Sequence, residues 1–224
     1  MIISHKHKFV FVKTVKTAGT SVEIVLTPIC GPEDTITKLA DEDEELRIAR
    51  TGRTFQNIEV RDEDGKEFLF RNHTPVRRAR RYLTDRFESY FSFAFERNPF
   101  DRVVSAFHHT LRNRQARGVD VSDWTFDNFV TMKECQRLVR LRNTGFGLYS
   151  SKNEIAVNYV YRFEDLSIAI DDIFDRIGQP VPDDLPVTKR SDRDRNYRSY
   201  YTPYLRGLVE DHFVWELERF GYEF

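Results

Sequence analysis

Phe9-Val10-Phe11-Val12-Lys13-Thr14-Val15-Lys16-Thr17-Ala18-Gly19-Thr20-Ser21 is the stretch on which the reading of the fold turns. Its first four residues are a short continuous apolar run, the pattern of a strand buried on both faces of a parallel sheet. A helix is expected over Thr17 to Leu26, after a tight turn. Such a turn aims backbone N–H groups at one spot, with the positive end of a helix dipole behind them. Gly19 lets the backbone approach a phosphate closely, Thr17, Thr20 and Ser21 bring hydroxyl donors, and Lys16 brings a mobile positive charge. The loop is not a Walker A sequence, because its lysine precedes its only glycine and GxxxxGK[ST] is absent. An ordinary capped turn with an exposed lysine fits this segment taken alone equally well.

Outward from this stretch the chain keeps alternating between strand-like and helix-like patterns. Tyr90 to Phe95 is an aromatic-rich strand, and Asn98-Pro99 announces a helix, with asparagine as cap and proline at the first helical position. Phe100, Val103, Val104, Phe107 and Leu111 keep helical spacing and form its core face. Val157 to Phe163 reads as a strand leading into a helix from Asp165 to Ile177, closed by Gly178. A last helix starts at Thr202-Pro203, carries Leu205, Leu208, Val209, Phe213, Leu217 and Phe220 on one face, and ends at Gly221. Thr54 to Val60 and Glu67 to Phe70 flank Asp62-Glu63-Asp64-Gly65, a hairpin signal. Glu33 to Arg50 suits an exposed helix or excursion, with the acidic run Asp41 to Glu45 as its solvated face. The alternation predicts an α/β fold with a mainly parallel sheet, whose ligands sit at the C-terminal strand ends.

A chain of 224 residues can bury its core as one domain, here taken as 1–224. Charged residues make up 32%, yet the net charge is only −1, so nothing draws the whole molecule to nucleic acid or to an anionic membrane. An anion site must then be a local cluster. Cys30 and Cys135 have no CxxC spacing and make no disulfide scaffold, which points to a reduced compartment. No apolar run approaches the ~18 residues of a membrane span, and no signal-peptide pattern precedes the first strand. A cytoplasmic protein without an integral membrane segment is expected.

A second segment repeats the logic of the first. In Phe93-Ala94-Phe95-Glu96-Arg97-Asn98-Pro99-Phe100-Asp101-Arg102-Val103-Val104-Ser105, an arginine stands at a strand end just before a helix. A guanidinium there can take two oxygens of one phosphate. Ser105 lies two turns into the helix, on the stripe of Arg102 and His109. A surface arginine and an ordinary helical serine are the plainer reading of this pair in isolation.

Together the two segments resemble the donor-binding motifs of sulfotransferases that use 3′-phosphoadenosine 5′-phosphosulfate (PAPS). Lys16-Thr17-Ala18-Gly19-Thr20-Ser21 is similar to their 5′-phosphosulfate loop, and Arg97-Asn98-Pro99 with Asp101-Arg102 and Ser105 to their 3′-phosphate motif. Tyr161-Arg162-Phe163-Glu164-Asp165-Leu166 and the ending from Tyr200-Tyr201-Thr202 to Phe220-Gly221-Tyr222 also match, in the order of the carbohydrate-type branch. The acidic stretch and residues 112–156 match poorly. Where many relatives have His and Pro before the lysine, this chain has Lys13-Thr14-Val15, and Lys13 reads mainly as sheet-end structure.

The resemblance implies a P-loop-NTPase-like three-layer fold with helices on both faces of the sheet. It implies sulfuryl transfer from PAPS to an acceptor hydroxyl, on a glycan or small molecule, with no metal. Lys16 would stabilise the leaving oxygen. Lys16, Thr17, Ala18, Gly19, Thr20 and Ser21 would hold the 5′-phosphate, and Arg97 and Ser105 the 3′-phosphate. An acceptor hydroxyl needs a base, and His73 in Asn72-His73-Thr74-Pro75 is the candidate, with an ordinary pKa near 6.5. Relatives carry a similar His-x-Pro segment. His5 and His7 form an HxH pair without further ligands for a metal. Arg77, Arg78, Arg80 and Arg81 are a solvated helix face or a site for an anionic acceptor. Lys189, Arg190, Arg193, Arg195 and Arg198 occupy the position where relatives close over the nucleotide. The rival readings are an ATP-using P-loop-like kinase and a non-catalytic nucleotide-binding member of the fold.

Overall fold

The apolar run at the head of the deciding stretch is strand β2 (Phe9–Val12), with the predicted limits and every residue buried. The chain is seen in a computed structural model that describes residues 1–186 and 193–224, the side chains at 133 and 134 excepted. It divides into two compact units, Met1–Glu96 with Gly145–Thr188 and Arg97–Thr144 with Lys189–Phe224.

In the first unit β2 joins β1 (Ile2–Ser4), β3 (Thr35–Ile36), β6 (Phe91–Glu96) and β9 (Tyr159–Arg162) in a sheet ordered β3-β1-β2-β6-β9. β2 pairs in parallel with β6, and β6 with β9, whereas β1 is antiparallel to both β2 and β3. Four of these five strands therefore run the same way, and β1 alone is reversed. The mainly parallel sheet expected from the alternation is present, with a reversal whose cause is chain length. Only His5 to Lys8 connects β1 to β2, which suffices for a hairpin and not for a parallel crossover.

Both faces of the central strands are covered. Phe9, Phe11, Phe93 and Phe95 pack with Val22, Val25 and Leu26 of α1 (Gly19–Leu26) and Ala169, Ile170, Ile173 and Phe174 of α7 (Leu166–Arg176). The alternate residues Val10, Val12 and Ala94 are fully buried on the opposite side. There Glu96 accepts a hydrogen bond from the Tyr149 hydroxyl of α6 (Phe146–Tyr149) at 2.8 Å. The predicted hairpin forms between β4 (Glu59–Arg61) and β5 (Glu67–Leu69), with Gly65 at φ 78°. A second hairpin, β7 (Ser150–Ser151) and β8 (Glu154–Ile155), lies in a stretch whose sequence announced no element.

The acidic run is a correction. It opens α2 (Asp41–Thr51), but Asp43 and Glu44 are buried rather than solvated. Glu44 pairs with the buried Arg47 and accepts from Leu39 N at 2.9 Å, Thr54 Oγ1 at 2.7 Å and Phe55 N at 3.0 Å. Those donors hold its pKa below the usual carboxylate range against the upward push of burial. β3, also within the charged stretch, extends the sheet.

The second unit is helical: α4 (Pro99–Gln115), α5 (Phe126–Asn143), α8 (Pro203–His212) and α9 (Val214–Phe220). Phe100, Val103, Val104 and Phe107 of α4 meet Phe129, Val130 and Leu138 of α5 and Leu205 and Val209 of α8. Asn98 caps α4 as predicted, accepting from Phe100 N at 3.0 Å, and Gly221 closes α9 at φ 62°, while Thr202 also caps α8 by accepting from Leu205 N at 3.3 Å. The single C-terminal helix expected from the apolar spacing is instead two, broken at Phe213 (φ −120°), whose ring is buried in the core. Among the described residues no helix is long and apolar enough to cross a membrane, and Cys30 and Cys135 are unpaired, buried thiols.

Candidate active site

The loop after β2 begins beyond Val12, which pairs with Ala94 near the end of β6. Its helix starts at Gly19 rather than Thr17, because Lys16 (φ 67°) and Ala18 (φ 58°) are left-handed. Thr17 between them is not, so φ alternates in sign through the turn. Alternation of this kind turns successive N–H groups into one concavity, the backbone geometry of anion-binding nests. Each left-handed non-glycine residue costs about 1–2 kcal/mol, and such strain gathers at functional sites. Ala18 is the N-cap residue of α1 and supplies no side-chain cap, which leaves the helix start to backbone donors.

The loop is braced from below. Thr14 Oγ1 donates to Phe95 O of the neighbouring strand at 2.6 Å and therefore accepts from Thr17 Oγ1 at 2.7 Å. The Thr17 hydroxyl is thus engaged inside the loop, and what it offers a ligand is its backbone N–H. Thr20 and Ser21 are buried in the first turn of α1, and Lys16 is half-buried. Lys13 is buried and donates to Glu23 Oε2 at 2.7 Å. Its stem runs under Gly19, where a Cβ would stand 2.6 Å from Lys13 Cγ. Gly19 is required here by that close approach.

His73 belongs to the same unit and is tied to the same loop. It is left-handed too, at φ 62°, just before Pro75 and α3 (Val76–Leu83). Thr74 Oγ1 accepts from Arg71 N at 2.8 Å and donates to Arg71 O at 2.7 Å, which sets the turn. His73 Nδ1 lies 3.0 Å from Lys13 O. A carbonyl only accepts, so Nδ1 carries the hydrogen and the neutral ring keeps its lone pair on Nε2. Burial first, and then the Lys13 charge, lowers the His73 pKa to about 4. The imidazole is therefore neutral at neutral pH, the protonation state a base requires. On α3, Arg78 donates to Leu69 O at 2.8 Å, and Arg80 pairs with Glu88 and stacks on Phe87, while Arg77 and Arg81 are exposed.

In the second unit Arg97 is buried and its guanidinium grips Asp101, through Nε at 2.9 Å and through Nη2. The other oxygen of Asp101 lies 2.5 Å from Arg193 Nη2, so one carboxylate forms ion pairs with two arginines. Ser105 is half-buried two turns into α4. Its expected neighbour Arg102 is no surface residue: it is 1% exposed and donates to Leu141 O at 2.8 Å. Arg195 and Arg198 are exposed, and Lys189 and Arg190 lie outside the described residues. Among the remaining histidines, His5 Nδ1 meets the Tyr90 hydroxyl at 2.7 Å, His7 Nε2 donates to Ile29 O at 2.9 Å, and His108 Nε2 meets the Tyr200 hydroxyl at 2.9 Å.

Lys16 and His73 thus share the first unit, and Arg97, Ser105 and Arg193 share the second. Sequence reasoning passed over Glu23 and the role of Asp101. Both left a signal: a lone charge inside the apolar Val22 to Leu26, and an Arg–Asp spacing of four across a helix start.

A family model described as the sulfotransferase family matches residues 1–223, and so runs through both units. Searches of curated proteins and of solved structures returned no match.

Proposed function

The chain belongs to the sulfotransferase family, a family of enzymes that transfer sulfuryl groups, and from that premise we propose that it moves the group from PAPS to a hydroxyl of a carbohydrate acceptor. The observation that carries the donor assignment is the turn after β2, with Lys16 and Ala18 left-handed ahead of a helix start that lacks a side-chain cap. In this reading the N–H groups from Lys16 to Ser21 receive the 5′-phosphate, and the Arg97 guanidinium and the Ser105 hydroxyl take the 3′-phosphate. Arg193, paired with the same carboxylate as Arg97, adds a second cation there.

Sulfuryl transfer, like phosphoryl transfer, depends on in-line positioning and on charge stabilisation. The acceptor oxygen bonds to sulfur as the bond from sulfur to the 5′-phosphate oxygen breaks. His73 Nε2 receives the acceptor proton, and the Lys16 ammonium neutralises the charge growing on the leaving oxygen. The scheme calls for no metal. The carbohydrate acceptor rests on the order of the motifs, which follows the carbohydrate-type branch.

The test is thermal unfolding with 3′-phosphoadenosine 5′-phosphate (PAP), followed by a sulfate-transfer screen across glycan and small-molecule acceptors. PAP at a hundred times its dissociation constant stabilises the fold by about 2.7 kcal/mol. Magnesium-dependent ATP binding without a response to PAP would overturn the reading.

A further inference from the structure

We propose that the buried Lys13–Glu23 pair is a positioning device that couples the Lys16 loop to His73, so that one side chain shapes the anion cradle while its own carbonyl aims the base. The proposal rests on the reading of His73 as the base and extends it to residues that touch no substrate.

The geometry runs through a single residue. Lys13 directly follows β2 and faces two ways. Its side chain passes under Gly19 at a spacing that excludes even a methyl group, and its ammonium is anchored on Glu23 of α1 at 2.7 Å. The first turn of α1 is thereby pinned from beneath. Its carbonyl, meanwhile, holds His73 Nδ1 at 3.0 Å, which leaves Nε2 as the proton acceptor. Neither partner is a surface ion: side-chain exposure is 4% for Lys13 and 0% for Glu23. Glu23 also accepts from the Met1 nitrogen and from Thr37 Oγ1, the latter at 3.3 Å. Burial pushes the Glu23 carboxyl upward, but Lys13 and the Met1 amine together hold it at about 2. A buried, hydrogen-bonded ion pair is stiff, and removing one member leaves the other charge uncompensated. Stiffness is what a site holding its groups within a fraction of an ångström requires.

The charged groups that act on His73 are Lys13 and the Met1 amine, which lower its pKa, and Glu23, which raises it, with Lys13 the stronger. The two halves of the pair therefore pull His73 in opposite directions, a signature that loss of structure does not produce. The experiment is an imidazole nitrogen–proton NMR titration of the full chain, with His73→Gln to assign the signal and PAP affinity measured by calorimetry on the same samples.

The wild type is expected to show the Nδ1–H tautomer and titration near 4. Lys13→Met moves the titration upward toward 6.5 and weakens PAP binding about tenfold, the worth of one misplaced charge-assisted hydrogen bond. Glu23→Gln moves the titration further down. Should the unpaired charge in either single variant prevent folding, Lys13→Met/Glu23→Gln removes both charges together and is expected to fold, with a smaller upward shift. An Nε2–H tautomer in the wild type, equal directions of shift in the two single variants, or an unmoved His73 in the double variant would each overturn the coupling. A wild type that shows the expected tautomer and shifts but does not bind PAP would leave the coupling standing and sink the donor assignment instead.

Discussion

The loop after β2 and the turn after β6 are both strand-to-helix junctions, built on opposite principles. The first is backbone-driven: Lys16 and Ala18 are left-handed, and the start of α1 has no side-chain cap. The second is regular: Pro99 opens α4, and Asn98 caps it by accepting from Phe100 N. A helix start already satisfied by its own cap has less to offer a ligand. The second junction offers side chains instead, the two guanidiniums paired with Asp101. Under the proposed function the two turns, alike in sequence, would do different work: N–H groups and one lysine for the phosphate next to the reacting sulfur, arginines for the phosphate that only anchors.

Side-chain truncation separates the two junctions most directly. Lys16→Ala is expected to lower kcat for transfer by ~10²–10³, the scale for losing a group that stabilises developing charge, with PAP affinity changed far less. Arg97→Ala is expected to do the reverse. It should weaken PAP by ~10–100-fold, the worth of a charged hydrogen-bonded contact, and should spare the affinity for adenosine 5′-phosphosulfate, which lacks the 3′-phosphate. If Lys16→Ala leaves kcat intact, the backbone turn is an anchor and not a catalytic element.

Acid acts on the first unit through His73. The His73 pKa is near 4 in the fold against 6.5 in the unfolded chain, so on acidification the unfolded chain takes up the proton first. Stability contributed by keeping this imidazole neutral is intact above 6.5 and is lost as the pH falls from 6.5 to 4, by on the order of 3 kcal/mol in total. Glu23, held at about 2, adds a separate loss below 4.5. Urea unfolding of His73→Gln against wild type isolates the first window: the variant should show a flatter stability curve between pH 6.5 and 4. An unchanged slope would mean that His73 takes up its proton in the fold as readily as in the unfolded chain.

How much of this was legible in the sequence follows the same division. The regular junction was readable to the residue, since Asn98 and Pro99 are the residue types that cap and open helices. The strained junction was readable in composition but not in shape, because neither lysine nor alanine announces a positive φ. That choice is imposed by the surroundings, the Lys13 stem beneath Gly19 and the Thr14–Thr17 brace to Phe95 O. Burial misled for a related reason. Glu44 looked like part of a solvated acidic face, yet its partners come from Leu39, Arg47, Thr54 and Phe55, and only folding brings these together. The break at Phe213 carries no glycine or proline to mark it. The apolar spacing that runs through it could therefore only be read as one helix.

Relief of strain gives the finest cut between the two junctions. Ala18→Gly removes the steric penalty of a left-handed alanine but gives the unfolded chain more freedom, for a net gain in unfolding free energy of about 0.5–1 kcal/mol. The same substitution lets the free loop leave the N–H-convergent shape, so PAP affinity should fall by about two- to fivefold even as the melting temperature rises. Asn98→Ala, its counterpart at the regular junction, should lower stability by about 1 kcal/mol through loss of the cap. Stability and affinity moving in opposite directions at Ala18 would mean that the strain is held for binding. A variant that gains stability and keeps its full affinity for PAP would show that the left-handed alanine is incidental, and that Lys16 alone carries the first junction.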